Sequence, residues 1–123
     1  PIQHLQSALD EAGLSATLVK SNFFDWQAEN KFDAIFEQTS LCALPPEQWQ
    51  QDVDKLASWL KPGGKLFAHF LHTAKPGEPP YHCELDEMHK LFKDESWHWS
   101  TEYFTSQNEI KNIAEIAYIL MKK

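Results

Sequence analysis

The sequence predicts an α/β domain with a mainly parallel sheet and an antiparallel hairpin at its C-terminal side. Three observations carry that prediction. Short apolar runs alternate with segments whose apolar residues recur at helical spacing, the pattern of strands joined by crossover helices. The stripe Trp49, Val53, Leu56 and Leu60 ends at Lys61-Pro62-Gly63-Gly64 and passes directly into the apolar run Lys65 to His72. The last two apolar runs, Trp97 to Thr105 and Ile113 to Met121, are separated by a polar loop, as the arms of a hairpin are. A chain of 123 residues has room for one hydrophobic core, and so for one domain.

Taken in order, Ile2, Leu5, Leu9 and Ala12 share one face of a helix that Gly13 can end. Thr17, Leu18 and Val19 predict a strand over Ala16 to Lys20, closed by the polar pair Ser21-Asn22. Phe32 to Phe36, bounded by charged and polar residues, reads as a buried strand. Pro45 and Pro46 mark a helix start, because proline fits a first turn whose backbone donors have no partner anyway. Lys61 to Gly64 stops that helix and Lys65 to His72 forms the next strand. Thr73 to Pro80 holds three of the seven prolines and is a loop. Leu85, Met88, His89 and Phe92 predict a short helix over Cys83 to Lys93. Trp97, Trp99, Thr101 and Tyr103 alternate with more polar residues, as on a half-exposed strand.

Composition narrows the function. All eleven basic residues are Lys, against eighteen Asp plus Glu, for a net charge of -7. Nucleic-acid binding is not expected, since it rests on clustered positive charge and on Arg forks. No run approaches the ~20 apolar residues of a membrane helix, so no membrane association is expected. Cys42 and Cys83 read as reduced thiols of a cytoplasmic protein. With only Gly13, Gly63, Gly64 and Gly77, the chain can write neither a GxGxxG turn nor a phosphate loop. His69 and His72, three apart on a strand, point to opposite faces and do not share a metal ion. His89 reads as a core or boundary residue. No Ser–His–Asp or Cys–His spacing stands out, so neither a catalytic nor a metal-binding residue is assigned.

Ligands of open α/β sheets sit beyond the carboxyl ends of the strands, which directs attention to Ser21 to Asp25 and Glu37 to Leu44. The segments NFFDW, FDAIFEQTSLCALPPEQW, LASWLKPGGKLFAHFLHT, PGEPPYH, ELDEMHKLF and IAYILMKK together resemble the thiopurine S-methyltransferase family, which also includes thiocyanate and halide methyltransferases. The resemblance runs from about Leu18 to the C-terminus. LKPGGKL is common to S-adenosylmethionine methyltransferases generally. FEQTSLCALPPE followed by PGEPPY is much narrower.

The resemblance implies a Rossmann-like sheet ordered 3-2-1-4-5-7-6, with strand 7 antiparallel. Pro1 to Ala12 then matches the helix between strands 2 and 3, and residues 1–123 form the C-terminal portion of one methyltransferase domain, holding the equivalents of strands 3 to 7. Such a piece lacks the glycine-rich turn and the centre of its sheet. It is either a fragment that binds S-adenosylmethionine weakly by itself, or a truncated domain that closes the gap by dimerising or by moving its first strand.

The resemblance also implies roles. Asn22 and the Phe23 backbone amide face the adenine ring; Glu37, Gln38 and Thr39 meet the methionine end of S-adenosylmethionine. Some members carry Arg at the position of Gln38, which here offers only neutral hydrogen bonds. Pro79, Pro80 and Tyr81 lie by the acceptor pocket. The implied activity is transfer of a methyl group to a small thiol, halide or similar nucleophile. The alternative is a non-catalytic α/β interaction domain that forms a homodimer through its open sheet.

Overall fold

The computed structural model describes residues 2–123. Four strands form one mixed sheet in the order β1-β2-β4-β3: β1 (Phe32–Glu37), β2 (Leu60–Thr73), β3 (Trp97–Asn108) and β4 (Ile113–Lys122). The helices are α1 (Ile2–Ala12), α2 (Trp49–Trp59) and α3 (Leu85–Leu91). β1 and β2 are parallel, from Ala34 opposite Lys65 to Glu37 opposite Ala68, and α2 is their crossover. β4 is antiparallel to both β2 and β3.

α2 shows how composition becomes packing. Pro46 opens a 3₁₀ turn over Pro46–Gln48 that runs into the helix, and Trp49, Val53, Leu56 and Trp59 are then buried. The Trp49 indole donates to Leu41 O at 2.9 Å and to Leu44 O at 3.0 Å, satisfying a polar atom that burial would otherwise strand. On β2, Leu66, Ala68 and Phe70 are fully buried and alternate with half-buried Phe67 and His69. This buried face meets α2 and α3 in a core that includes Met88, Phe92, Trp97 and Leu120. The opposite face carries Phe36 and Phe104, 65% and 68% exposed.

At the other end of α2, Lys122 Nζ donates to Ala57 O at 2.7 Å and to Leu60 O at 2.9 Å. A lysine from β4 thus adds a second donor to Ala57 O, which already accepts from Leu60 N–H, and reaches Leu60 O just beyond the helix C-terminus, where the helix dipole also favours a cation. Lys122→Met is expected to lower stability by about 1–2 kcal/mol, measured by urea denaturation. An unchanged midpoint would show that water satisfies those carbonyls equally well.

Gly13, at φ +68, ends α1 with Leu14 N donating to Leu9 O at 2.9 Å, a left-handed cap that glycine adopts without strain. α1 follows its sequence bounds but buries no side chain.

Several expectations need correction. The predicted strand over Ala16 to Lys20 is irregular, because it has no neighbouring strand among the described residues to take up its backbone groups. The segment expected to match strand 3 is therefore not part of the four-stranded sheet. With one parallel and two antiparallel pairings it is mixed rather than mainly parallel. The antiparallel C-terminal hairpin is present. Lys61 to Gly64 does not separate helix from strand; it bulges within β2, where the register jumps from Phe32–Leu60 to Ala34–Lys65 and Gly63 takes φ +81. Helix α3 is shorter than Cys83 to Lys93, since Phe92 leaves helical geometry at ψ 72. β3 shifts register between Trp99 and Tyr103, yet Tyr103 stays on the side of Trp99, stacking on Tyr118 with ring centroids 5.4 Å apart.

Candidate functional site

β1 and β2 both deliver their carboxyl ends to one edge of the sheet, and the loop after β1 is fixed there by Glu37. This side chain is only 5% exposed. Its Oε1 accepts from the Ser40 backbone N–H at 3.1 Å, from the Leu41 N–H at 2.9 Å and from the Ser40 hydroxyl. A carboxylate at the end of a strand thus stands in for a helix cap, closing the loop onto the 3₁₀ turn Leu41–Ala43. Within the loop Thr39 sits at φ 61, a left-handed conformation that a β-branched residue rarely adopts, and its hydroxyl donates to Gln38 O at 2.6 Å. Such strain persists only where the surroundings over-determine it, and functional loops are its common setting.

Gln38 reaches across the sheet. Its Nε2 donates to Glu115 Oε2 on β4 at 3.0 Å, and the same oxygen lies 3.4 Å from His69 Nδ1. Phe36 flanks His69, with ring centroids 4.9 Å apart.

The loop after β2 folds back onto the same edge. Tyr81 N donates to Cys42 O at 2.7 Å, and Cys83 N to Leu71 O at 2.8 Å. Thr73 N donates to His82 Nδ1 at 3.1 Å; the proton of the neutral ring is therefore on Nε2, 2.9 Å from Glu84 Oε2. That hydrogen bond holds the Glu84 carboxyl below the usual range. The neighbouring His72 ring, 4.6 Å from His82, has its pKa lowered by burial and then by His82. Pro79 and Pro80, joined by a cis peptide, line a cavity of about 440 Å³ with Thr73, Glu78, Lys111 and Ile113. Tyr81 is tied to the site by its backbone and does not line this cavity.

The structure thus brings together Glu37, Gln38, Thr39, Pro80 and Tyr81. It does not bring Asn22 and Phe23 to them. Phe23 packs edge-on against Trp59 at 4.9 Å, and Trp26 stacks on Phe32 at 6.2 Å, so both lie at the amino end of β1. The length of β1, roughly 17 Å at the usual strand rise, separates the two groups. Without a strand over Ala16 to Lys20, nothing carries this turn to the carboxyl edge, and its aromatic residues cover the end of α2 instead. The Asn22 side-chain carbonyl accepts from Phe24 N at 3.0 Å, which leaves its amino group as the free donor. Beside it a cavity of about 300 Å³ is lined by Thr17, Val19, Ser21, Phe23, Trp26 and Trp59.

Two further features bear on the chemistry. Burial, and secondarily Glu37, raises the Cys42 thiol, while burial pushes Cys83 up to about 12, so both thiols stay protonated and are poor nucleophiles. Asp52, 1% exposed, has neither carboxylate oxygen hydrogen-bonded, and burial followed by the charge of Glu37 raises it to about 7. Sequence reasoning passed over Asp52, although its position three residues after Trp49 and four before Leu56 puts it on the apolar stripe. Glu115 had no local signal. Among the described residues no group of three or more His, Cys, Asp or Glu is arranged to hold a metal ion, and no helix is long and apolar enough to cross a membrane.

Comparison with known proteins places this geometry. The family model described as Thiopurine S-methyltransferase (TPMT) matches residues 2–118. Probable thiol methyltransferase 2 of Arabidopsis thaliana is 37% identical over 79 residues, 61% of this chain and 34% of that protein. Thiocyanate methyltransferase 1 of Brassica oleracea is 36% identical over 66 residues, 53% of this chain and 29% of that protein. The matched region spans about a third of these relatives' length.

Among solved structures, 1,6-didemethyltoxoflavin-N1-methyltransferase of Burkholderia thailandensis, with bound 1,6-didemethyltoxoflavin and S-adenosylhomocysteine, aligns with a TM-score of 0.74 at 12% identity. That alignment covers 97% of this chain and 56% of the other. TehB from Haemophilus influenzae aligns with a TM-score of 0.72 at 14% identity, over 99% of this chain and 46% of the other. At these identities the likeness speaks for the fold, that of class I methyltransferases.

Proposed function

The chain belongs to the thiopurine S-methyltransferase family, and from that membership we propose that it serves S-adenosylmethionine-dependent transfer of a methyl group to a small thiol, halide or similar nucleophile. The observation that supports this most is the loop Gln38–Thr39, closed by the three hydrogen bonds to Glu37 and joined to the acceptor-side loop by Tyr81 N on Cys42 O.

The family's co-substrate is S-adenosylmethionine, and the residues present fit it. The strained Thr39 turn and the neutral Gln38 amide stand at the carboxyl edge where such ligands bind. Asn22 and Phe23 are proposed for the adenine side only once the turn that holds them reaches the carboxyl edge, from which the length of β1 separates them in this arrangement. When bound, S-adenosylmethionine supplies a methyl carbon on a sulfonium, an electrophile with a leaving group already attached. Little acid–base work is then required at the sulfonium. The loops holding Gln38, Thr39, Pro80 and Tyr81 contribute alignment and exclusion of water. Two free, buried cysteines suit the cytoplasm, where we place the protein.

Isothermal titration of the gene product with S-adenosylmethionine is expected to show binding that weakens about fivefold in Gln38→Ala, the value of one neutral hydrogen bond. No binding by the wild-type protein would sink the proposal. The exposed sheet face of Phe36 and Phe104 favours a second reading, a non-catalytic domain that dimerises through its open sheet. Sedimentation showing a dimer, together with a silent titration, would establish it.

A further inference from the structure

The geometry points to His69, oriented by Glu115, as the proton acceptor for a neutral thiol bound on the sheet face beside Gln38. This inference rests on the methyltransferase reading and narrows its acceptor to a species that arrives with a proton.

His69 and Glu115 come from adjacent antiparallel strands, where His69 pairs with Ala117 and Leu71 with Glu115, so both side chains lie on the face away from α2 and α3. They are mostly desolvated, with side chains 21% and 18% exposed. The carboxylate oxygen lies 3.4 Å from Nδ1, which leaves Nε2 as the nitrogen turned away from it. The carboxylate is placed to pair with the imidazolium that forms, the arrangement of a histidine base beside an orienting acid. Gln38 donates to that same carboxylate oxygen at 3.0 Å and joins the pair to the loop proposed for the methionine end of the co-substrate. His69 is therefore one side chain removed from the cofactor-side loop, and Phe36 covers its ring.

The step is a proton transfer. The S–H bond breaks and its electron pair stays on sulfur; the proton bonds to His69 Nε2, giving a thiolate beside an imidazolium paired with Glu115. A free halide or thiocyanate needs no such step, and the Glu115 carboxylate disfavours a bare anion on this face. The titratable neighbour of His69 is Glu115 from β4, whose charge also contributes to raising the Cys42 thiol in the turn after β1.

A simple alkanethiol, which stays mostly protonated in free solution at about pH 7, added to the gene product without any methyl donor gives a direct readout, because thiolate and thiol absorb at different wavelengths. Wild-type protein is expected to generate a thiolate band in proportion to protein concentration. His69→Gln should abolish the band and Glu115→Gln should reduce it, with folding of both variants checked by circular dichroism. With S-adenosylmethionine present, kcat/KM toward the thiol should fall roughly a hundredfold in His69→Gln. A full thiolate band in His69→Gln, or undiminished thiol methylation by it, overturns the inference and leaves the methyltransferase reading standing. Failure of the wild-type protein to bind S-adenosylmethionine overturns both.

Discussion

Asp52→Asn is expected to raise stability by about 2 kcal/mol at about pH 8 and to lower it by about 2 kcal/mol at about pH 4. Asp52 is 1% exposed with both oxygens unpartnered, and its folded pKa of about 7 lies well above the ordinary 3.8. The sign follows from linkage. An acid whose pKa is raised by folding binds its proton more tightly when folded, so unfolding releases a proton and rising pH favours the unfolded chain. Stability from this group is lost from near 3.8 upward, and the loss is complete once pH passes about 7. That interval is worth roughly 4 kcal/mol at about 1.4 kcal/mol per pH unit. Asparagine removes the ionisation but leaves a buried amide without partners, which returns about 1–3 kcal/mol of the gain. Urea denaturation of the gene product and the variant across that pH range measures the gap. A gap that stays constant with pH would mean that Asp52 is solvated.

Glu37→Ala is expected to cost about 3 kcal/mol and to abolish S-adenosylmethionine binding in the same protein. Truncation leaves two backbone N–H groups and a hydroxyl without their acceptor, each worth roughly 1–3 kcal/mol when the acceptor is charged. Glu37→Gln keeps an acceptor oxygen and should cost about half as much. It also removes the negative charge that helps raise Asp52, so the pH at which Asp52 loses its proton should move down. Thermal denaturation gives the stability change, titration calorimetry the binding, and the pH dependence of stability the Asp52 shift. A folded Glu37→Ala protein with unchanged affinity would separate the loop from the cofactor.

The elements most legible in the sequence are those whose pattern and partner agree. α2 and β2 were readable because the stripe from Trp49 to Leu60 and the apolar run after it bury each other. Thr17, Leu18 and Val19 have strand-forming side chains, but strand propensity is realised only against a neighbouring strand, and no neighbour is present among the described residues. Within the site, Glu37, Gln38 and Thr39 were found through a motif that marks the end of a strand, and Pro80 and Tyr81 through another. Asp52 was hidden because an acid on an apolar stripe reads as a solvated spacer unless its position on the helix face is counted. The contact between Gln38 and Glu115 joins residues 77 apart, and only the pairing of β2 with β4 creates it. No local pattern encodes such a contact.

The strand order has a consequence for how the chain reaches its native state. β4 lies between β2 and β3, although it comes after both in sequence. On a ribosome, β2 and β3 emerge before β4 and do not pair directly in the native arrangement, so each has an unfilled edge until β4 follows. Ile113–Lys122 then inserts between them, and Lys122 closes the end of α2 in the same event. These four strands therefore join through β4, and the interval before it pairs is when aggregation competes with folding.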